Sequence, residues 1–243
     1  MIQIENDEVY GLEAAIRGMR NPMNSWDKSD SDFCDSWYDE ECPKNCAYNR
    51  TCNENTAHLI VGENDLALMK KLVKAGTDHR KFLRMVNVTV DITAPLYWWK
   101  EFDTYKICTV RNSCSTMHKI AAKEFTLYDF SREHLTTLDF QQYSVLDTEE
   151  LERVEFQTAS TEILRLIIQC LNNYRKLYLE SKDKKYWWQI IQLLPSSYNQ
   201  RATVQLNYEV LLNMYHSRKT HKLDEWRTFC EWIEGLPYME EFI

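Results

Sequence analysis

The segment "MVNVTVDIT", residues 85–93, sets Val86, Val88, Val90 and Ile92 against Asn87, Thr89 and Asp91 in strict alternation. Successive side chains of a strand point to opposite faces, so the pattern predicts a strand with one apolar face in a core and one polar face outside. Such a strand needs hydrogen-bonded neighbours and a layer over its apolar face. Ala94-Pro95 closes it.

The covering layer is written on both sides of that strand. After a short strand at "IQI", Leu12, Ala15, Ile16 and Met19 fall on one helical face, and Asn21-Pro22 ends that helix. "ENDLALMKKLVKAG" predicts a second helix, capped by Asn64, buried through Leu66, Met69, Leu72 and Val73, and stopped by Gly76. Residues 151–180 read as one long amphipathic helix through Leu164, Ile167, Ile168, Leu171, Tyr174 and Tyr178. A further helix ends at Leu194-Pro195, a loop of short extended character follows, and two helices close the chain, the last through Leu223, Trp226, Phe229, Trp232 and Ile233. Trp98-Trp99 and Trp187-Trp188 are expected as core or interface anchors. Strands mixed with helices define an α/β (α+β) class. With 243 residues, 44% of them hydrophobic, the chain can bury one large core. We expect a single domain over 1–243, with a polar, Cys-rich insertion at about 24–55.

Composition also excludes function classes. A net charge of −8 argues against duplex nucleic-acid binding, which draws its affinity from clustered Lys and Arg. Apolar runs such as "ILRLIIQCL" are broken well before the roughly eighteen residues that would span a bilayer. "MIQIENDEVYG" holds no cationic stretch followed by an apolar one, so a cytoplasmic protein without a membrane partner is expected. With five glycines and no Gly-rich phosphate loop, a Rossmann dinucleotide fingerprint is absent. Cys34, Cys42, Cys46 and Cys52 cluster in the insertion and are candidate ligands for one zinc ion. Only Cys42 and Cys46 show the short spacing usual in structural zinc sites, and free thiols in a surface loop are the alternative.

The helix "LNYEVLLNMYHSRK" keeps Asn207, Asn213 and Arg218 among bulky apolar residues. At about 100° per residue, Asn207 and Arg218 share nearly one line, with Asn213 roughly 120° round. Two readings follow: the stripe is buried in its middle and polar where both ends reach a cleft, or Asn207 caps the helix and Arg218 pairs with a surface carboxylate.

Three polar segments in fixed order extend this observation. Asp78-His79-Arg80-Lys81-Phe82 precedes the strand; "TYKICTVRNSCSTMH" follows it after a Pro and an aromatic-rich helix; Leu194-Pro195 leads to Asn207, Asn213 and Arg218. This order resembles the flavin-dependent thymidylate synthases, over roughly residues 1–235. In that family a His with a Phe three residues on precedes a strand, the signature RHRxxSxNExSxRY follows, and Leu-Pro leads to Asn, Asn and Arg at matching spacing. Asn112 and Ser115 keep part of the signature, and Thr104-Tyr105-Lys106 stands where the family has Arg-His-Arg. Ser113 replaces the signature Glu, Met117 its last Arg and His118 its Tyr, while Ile191 stands for an Arg before the Leu-Pro.

The resemblance implies a mainly antiparallel sheet packed with helices, and a homotetramer whose ligand clefts are built from several subunits. It also implies ligand-binding roles for His79, Lys106, Asn112, Ser115, Asn207, Asn213 and Arg218, FAD as a candidate cofactor, and a nucleotide-like small molecule as partner. In the family, the two arginines replaced here grip the phosphate of deoxyuridylate, and the Arg-His-Arg cluster faces the flavin diphosphate. Met117 and Ile191 can offer neither a charge nor a bidentate fork, which removes two contacts each worth about 1.5–3 kcal/mol. The expected function is therefore a divergent binder of a nucleotide or flavin-like ligand. The alternatives are the family's reaction, methylation of deoxyuridylate with methylenetetrahydrofolate and NADPH, and non-catalytic sequestration of a nucleotide by a viral or mobile-element protein.

Overall fold

A computed structural model describes residues 2–34, 58–137, 140–146 and 153–243. The elements run β1 (Gln3–Tyr10), α1 (Leu12–Arg20), β2 (Asp32–Phe33), β3 (Leu59–Ile60), α2 (Glu63–Lys74), β4 (Asn87–Pro95), α3 (Leu96–Phe102) and β5 (Val110–Ser113). They continue as α4 (Thr116–Lys119), β6 (Phe140–Leu146), β7 (Arg153–Ala159), α5 (Ser160–Ser181), α6 (Lys184–Leu193), β8 (Asn199–Asn207), α7 (Tyr208–Arg218) and α8 (Asp224–Glu234). The chain separates into two compact units, each assembled from distant stretches. One holds residues 94–99 and 113–200; the other holds 2–93, 100–112 and 201–243.

The second unit is built on a four-stranded sheet in the order β1-β4-β8-β5. β1 pairs antiparallel with β4, Ile4 against Ile92 and Val9 against Val88, with an irregularity between Glu5 and Glu8. Alternation along β4 works as the sequence predicts: Val88, Val90 and Ile92 are fully buried. The loop expected before residue 206 is instead the nine-residue strand β8, which adds Ala202, Val204 and Leu206 to the same core. "ATVQL" has period two, but polar flanks hide so short an alternation. On the polar face Asp91 accepts hydrogen bonds from Thr203 Oγ1 (2.5 Å), Arg201 Nη2 (2.9 Å) and Asn6 Nδ2 (3.0 Å).

Helices cover the apolar face. α1 buries Leu12, Ala15, Ile16 and Met19, and α8 buries Trp226, Phe229 and Ile233. Gly11, with φ 95, lies so close to the Met85 carbonyl that a Cβ would stand 2.2 Å from its oxygen, so the β1–α1 corner needs glycine. α2 forms where predicted and ends before Gly76 at φ 102, but of its expected buried face only Met69 is buried, Leu66, Leu72 and Val73 being half-buried, and Asn64 is not its cap. Gly62 takes that position, and Asp30 accepts from the backbone N–H groups of Asn64 (2.9 Å) and Asp65 (3.1 Å). A cap supplied from thirty-odd residues away leaves no local signature.

The first unit contains the antiparallel pair β6–β7 and the helices α5 and α6. The predicted helix from residue 151 begins only at Ser160, because "RVEFQTA" forms β7. Val154 and Phe156 alternate with polar neighbours there, whereas helical spacing begins at Leu164. Leu164, Ile168 and Leu171 of α5 pack with Ile190 of α6 and with Phe125 and Phe130. Trp98 and Trp99 are buried as expected, Trp99 Nε1 donating to the Gln200 carbonyl at 3.0 Å, while Trp188 is half exposed. Among the described residues no helix is long and apolar enough to cross a membrane. Of the cysteines expected to hold zinc, Cys34 is half-buried, and Cys42, Cys46 and Cys52 lie outside the described residues. No group of three or more His, Cys, Asp or Glu side chains among the described residues is placed to hold a metal ion.

Candidate functional site

The site belongs to the second unit and starts where β8 runs into α7. Asn207 is the junction: it is 5% exposed, and its side-chain oxygen accepts from the Val210 N–H at 3.0 Å, capping α7. That use occupies the amide oxygen only. Its Nδ2 makes no hydrogen bond among the described residues.

Two residues on, Glu209 is buried, although a carboxylate is costly there without a partner. Arg80 provides one, its Nε 3.0 Å from Oε2 and its Nη2 3.1 Å from Oε1. The same Nη2 donates to Asn213 Oδ1 at 3.1 Å, so one guanidinium ties both residues of α7 to the turn after α2. Arg80 and Glu209 were not expected as site residues. A charge two positions after Asn207, on a helix otherwise rich in bulky apolar side chains, is the signal that points to them.

Asn207, Glu209 and Asn213 line a cavity of about 560 Å³, within the roughly 300–1,000 Å³ usual for small-molecule sites. Lys106, Cys108 and Arg84 line it as well. Arg84 ends the 3-10 turn Lys81–Arg84, and Lys106 follows the end of α3. Neither has an ion-pair partner among the described residues.

Three of the residues singled out in the sequence, Lys106, Asn207 and Asn213, are thus brought to one cavity. Others are placed elsewhere. His79 is exposed in the turn after Gly76, and Asn112 is exposed on β5. Ser115 belongs to the first unit, where its Oγ accepts from the His118 N–H at 3.2 Å and caps α4. Arg218 does not line the cavity. Its Nη1 meets Glu101 Oε2 at 2.7 Å, its Nε donates to the Tyr105 hydroxyl at 2.9 Å, and its guanidinium lies 4.6 Å from the Trp226 ring centre. Glu101 Oε2 also accepts from Trp226 Nε1 at 3.0 Å. Arg218 therefore reaches the cavity through Tyr105, which stands next to Lys106 and itself lines the wall.

The fold these elements build is that of the flavin-dependent thymidylate synthases. Two structures of that enzyme from Helicobacter pylori, each with FAD and dUMP, are similar to the chain. The first gives a TM-score of 0.61 at 15% identity, over 99% of this chain and 97% of that one. The second gives 0.60 at 14%, over 100% and 96%. A UMP/dUMP methylase from Streptomyces cacaoi, bound with 5-bromo-dUMP, gives 0.55 at 14% identity, over 100% and 93%. No family model and no curated protein matches the sequence.

Proposed function

We propose that the chain binds a nucleotide-like small molecule in the cavity between β8–α7 and the segment 104–108. The observation that carries this reading is the convergence of Asn207, Asn213 and Lys106 on one cavity beside Arg84. Amides both donate and accept, which suits the edge of a heterocycle, and Asn207 Nδ2 is a donor without a protein partner among the described residues. The solved structures of similar fold support it, since their ligands are dUMP, FAD and a halogenated dUMP.

The residues suit a mononucleotide better than a flavin dinucleotide. A diphosphate asks for several cations along its length. Of Thr104-Tyr105-Lys106, which stands where the resemblance places those contacts, only Lys106 is one. Thr104 Oγ1 donates to the Glu101 carbonyl at 2.7 Å, and the Tyr105 hydroxyl is engaged by Arg218. Thr104 and Tyr105 thus bring no charge to a diphosphate, which favours a nucleotide binder over the flavin enzyme. The reading goes with a cytoplasmic homotetramer in which neighbouring chains complete the cleft; self-association is supported by exposed Leu166 and Leu177 on α5 and Trp188 and Leu193 on α6. Mass spectrometry of small molecules released from the purified protein, with its visible absorbance, tests the reading. A colourless protein that releases a nucleotide supports it; a yellow protein with stoichiometric flavin makes the methylating enzyme the better account.

A further inference from the structure

The charge on the cavity wall comes from side chains other than the two phosphate-gripping arginines that the resemblance implies. Met117 and Ile191 stand at those two positions, and neither carries a charge. Within the second unit, Arg80 cancels the charge of Glu209 by a bidentate pair. What remains of the wall's charge is Arg84 and Lys106, each without an ion-pair partner among the described residues. In a chain of net charge −8 this is a local reversal of sign.

We propose that Arg84 and Lys106 form the phosphate end of the cavity, so that the ligand is a phosphomonoester nucleotide held by a cation pair other than the family's arginines. The inference rests on the nucleotide-binding reading and names the part of the ligand on which affinity depends. Two cations match the charge of one phosphomonoester, and charge-assisted hydrogen bonds are about twice as strong as neutral ones. The first turn of α7 contributes in the same direction, because Asn207 and Val210 put the positive end of the helix at the wall. Lys106 is also held in register. Tyr105, its neighbour, is fixed by Arg218 Nε at 2.9 Å, and Arg218 is fixed in turn by Glu101. Arg218 is thereby a positioning residue for the cationic end, without contact to the ligand.

The test is calorimetric titration of the full chain with dUMP and with deoxyuridine, which differ only in the phosphate, at low and at high salt. Wild type should bind dUMP roughly ten- to a hundredfold more tightly than deoxyuridine, with the difference shrinking as salt rises. Arg84→Gln and Lys106→Gln should each reduce the preference for dUMP over deoxyuridine and together abolish it. Both residues are exposed, so folding is not at stake. Tyr105→Phe should reduce the same preference for dUMP, an effect a purely structural Arg218 would not produce. Equal affinity of wild type for the two probes, or a preference that survives the double substitution, overturns the phosphate assignment while leaving nucleotide binding intact. Binding of neither probe overturns the nucleotide reading and the assignment with it.

Discussion

Arg80 holds Glu209 through both carboxylate oxygens, at 3.0 and 3.1 Å, and the two side chains are only 13% and 9% exposed. A pair this enclosed matters less for its attraction than for what happens when half of it is lost, because the remaining charge stays buried. Arg80→Ala should destabilise the protein by about 3 kcal/mol, measured by urea denaturation. Glu209→Gln should cost less, since an amide oxygen still accepts from Arg80 and Asn213 shares the guanidinium. A loss under about 1 kcal/mol for Arg80→Ala would show a pair behaving as a surface one.

Asn207 has two separable duties. Asn207→Ser keeps a cap and should leave the melting temperature nearly unchanged, whereas Asn207→Ala should lose about 1 kcal/mol. Both remove Nδ2, so both should weaken deoxyuridine binding to the same degree. Retained affinity in the Ser variant would mean that the amide serves the helix alone.

Asp91 predicts an acid limb in stability. Hydrogen bonds from Thr203, Asn6 and Arg201 hold its carboxyl at about 2, below the ordinary 3.8. A carboxyl whose pKa falls on folding stabilises the native state above its unfolded value and loses that contribution as pH drops towards the folded one. Thermal melts of Asp91→Asn should therefore run below wild type at pH 5 and converge with it between about pH 4 and 2. Parallel curves across that range would rule the carboxylate out as the source.

Self-association is the least local prediction. Light scattering at micromolar concentration should give a mass four times that of one chain, and Leu166→Glu on the exposed side of α5 should reduce it. A monomeric wild type removes the tetramer.

Much of this architecture is legible along the chain, and the exceptions share a cause. The valine alternation of β4, the apolar stripes of α1 and α8, and Gly76 after α2 are local patterns, and each forms where its period predicts. β8, the cap from Asp30 and the late start of α5 depend on partners far away in sequence or on a short alternation beside a helical one. The site divides in the same way. Spacing from Leu194-Pro195 marks Asn207 and Asn213, which meet at the cavity. It also marks Arg218, whose neighbours Glu101 and Tyr105 come from a stretch more than a hundred residues earlier and could be known only from the fold. Arg84 carries no motif, and its place in the wall comes from the turn that follows Arg80.

A nucleotide in this cavity would lie against Cys108, whose thiol reports its presence directly. Cys108 is exposed and lines the wall, while Cys114 and Cys170 are exposed in the other unit. Alkylation of the native protein with iodoacetamide, followed by peptide mass spectrometry, gives a labelling rate for each thiol in one sample. Saturating dUMP should slow labelling of Cys108 several-fold and leave Cys114 and Cys170 unchanged. A protein that binds dUMP yet labels Cys108 at an undiminished rate would place the nucleotide elsewhere and contradict the account.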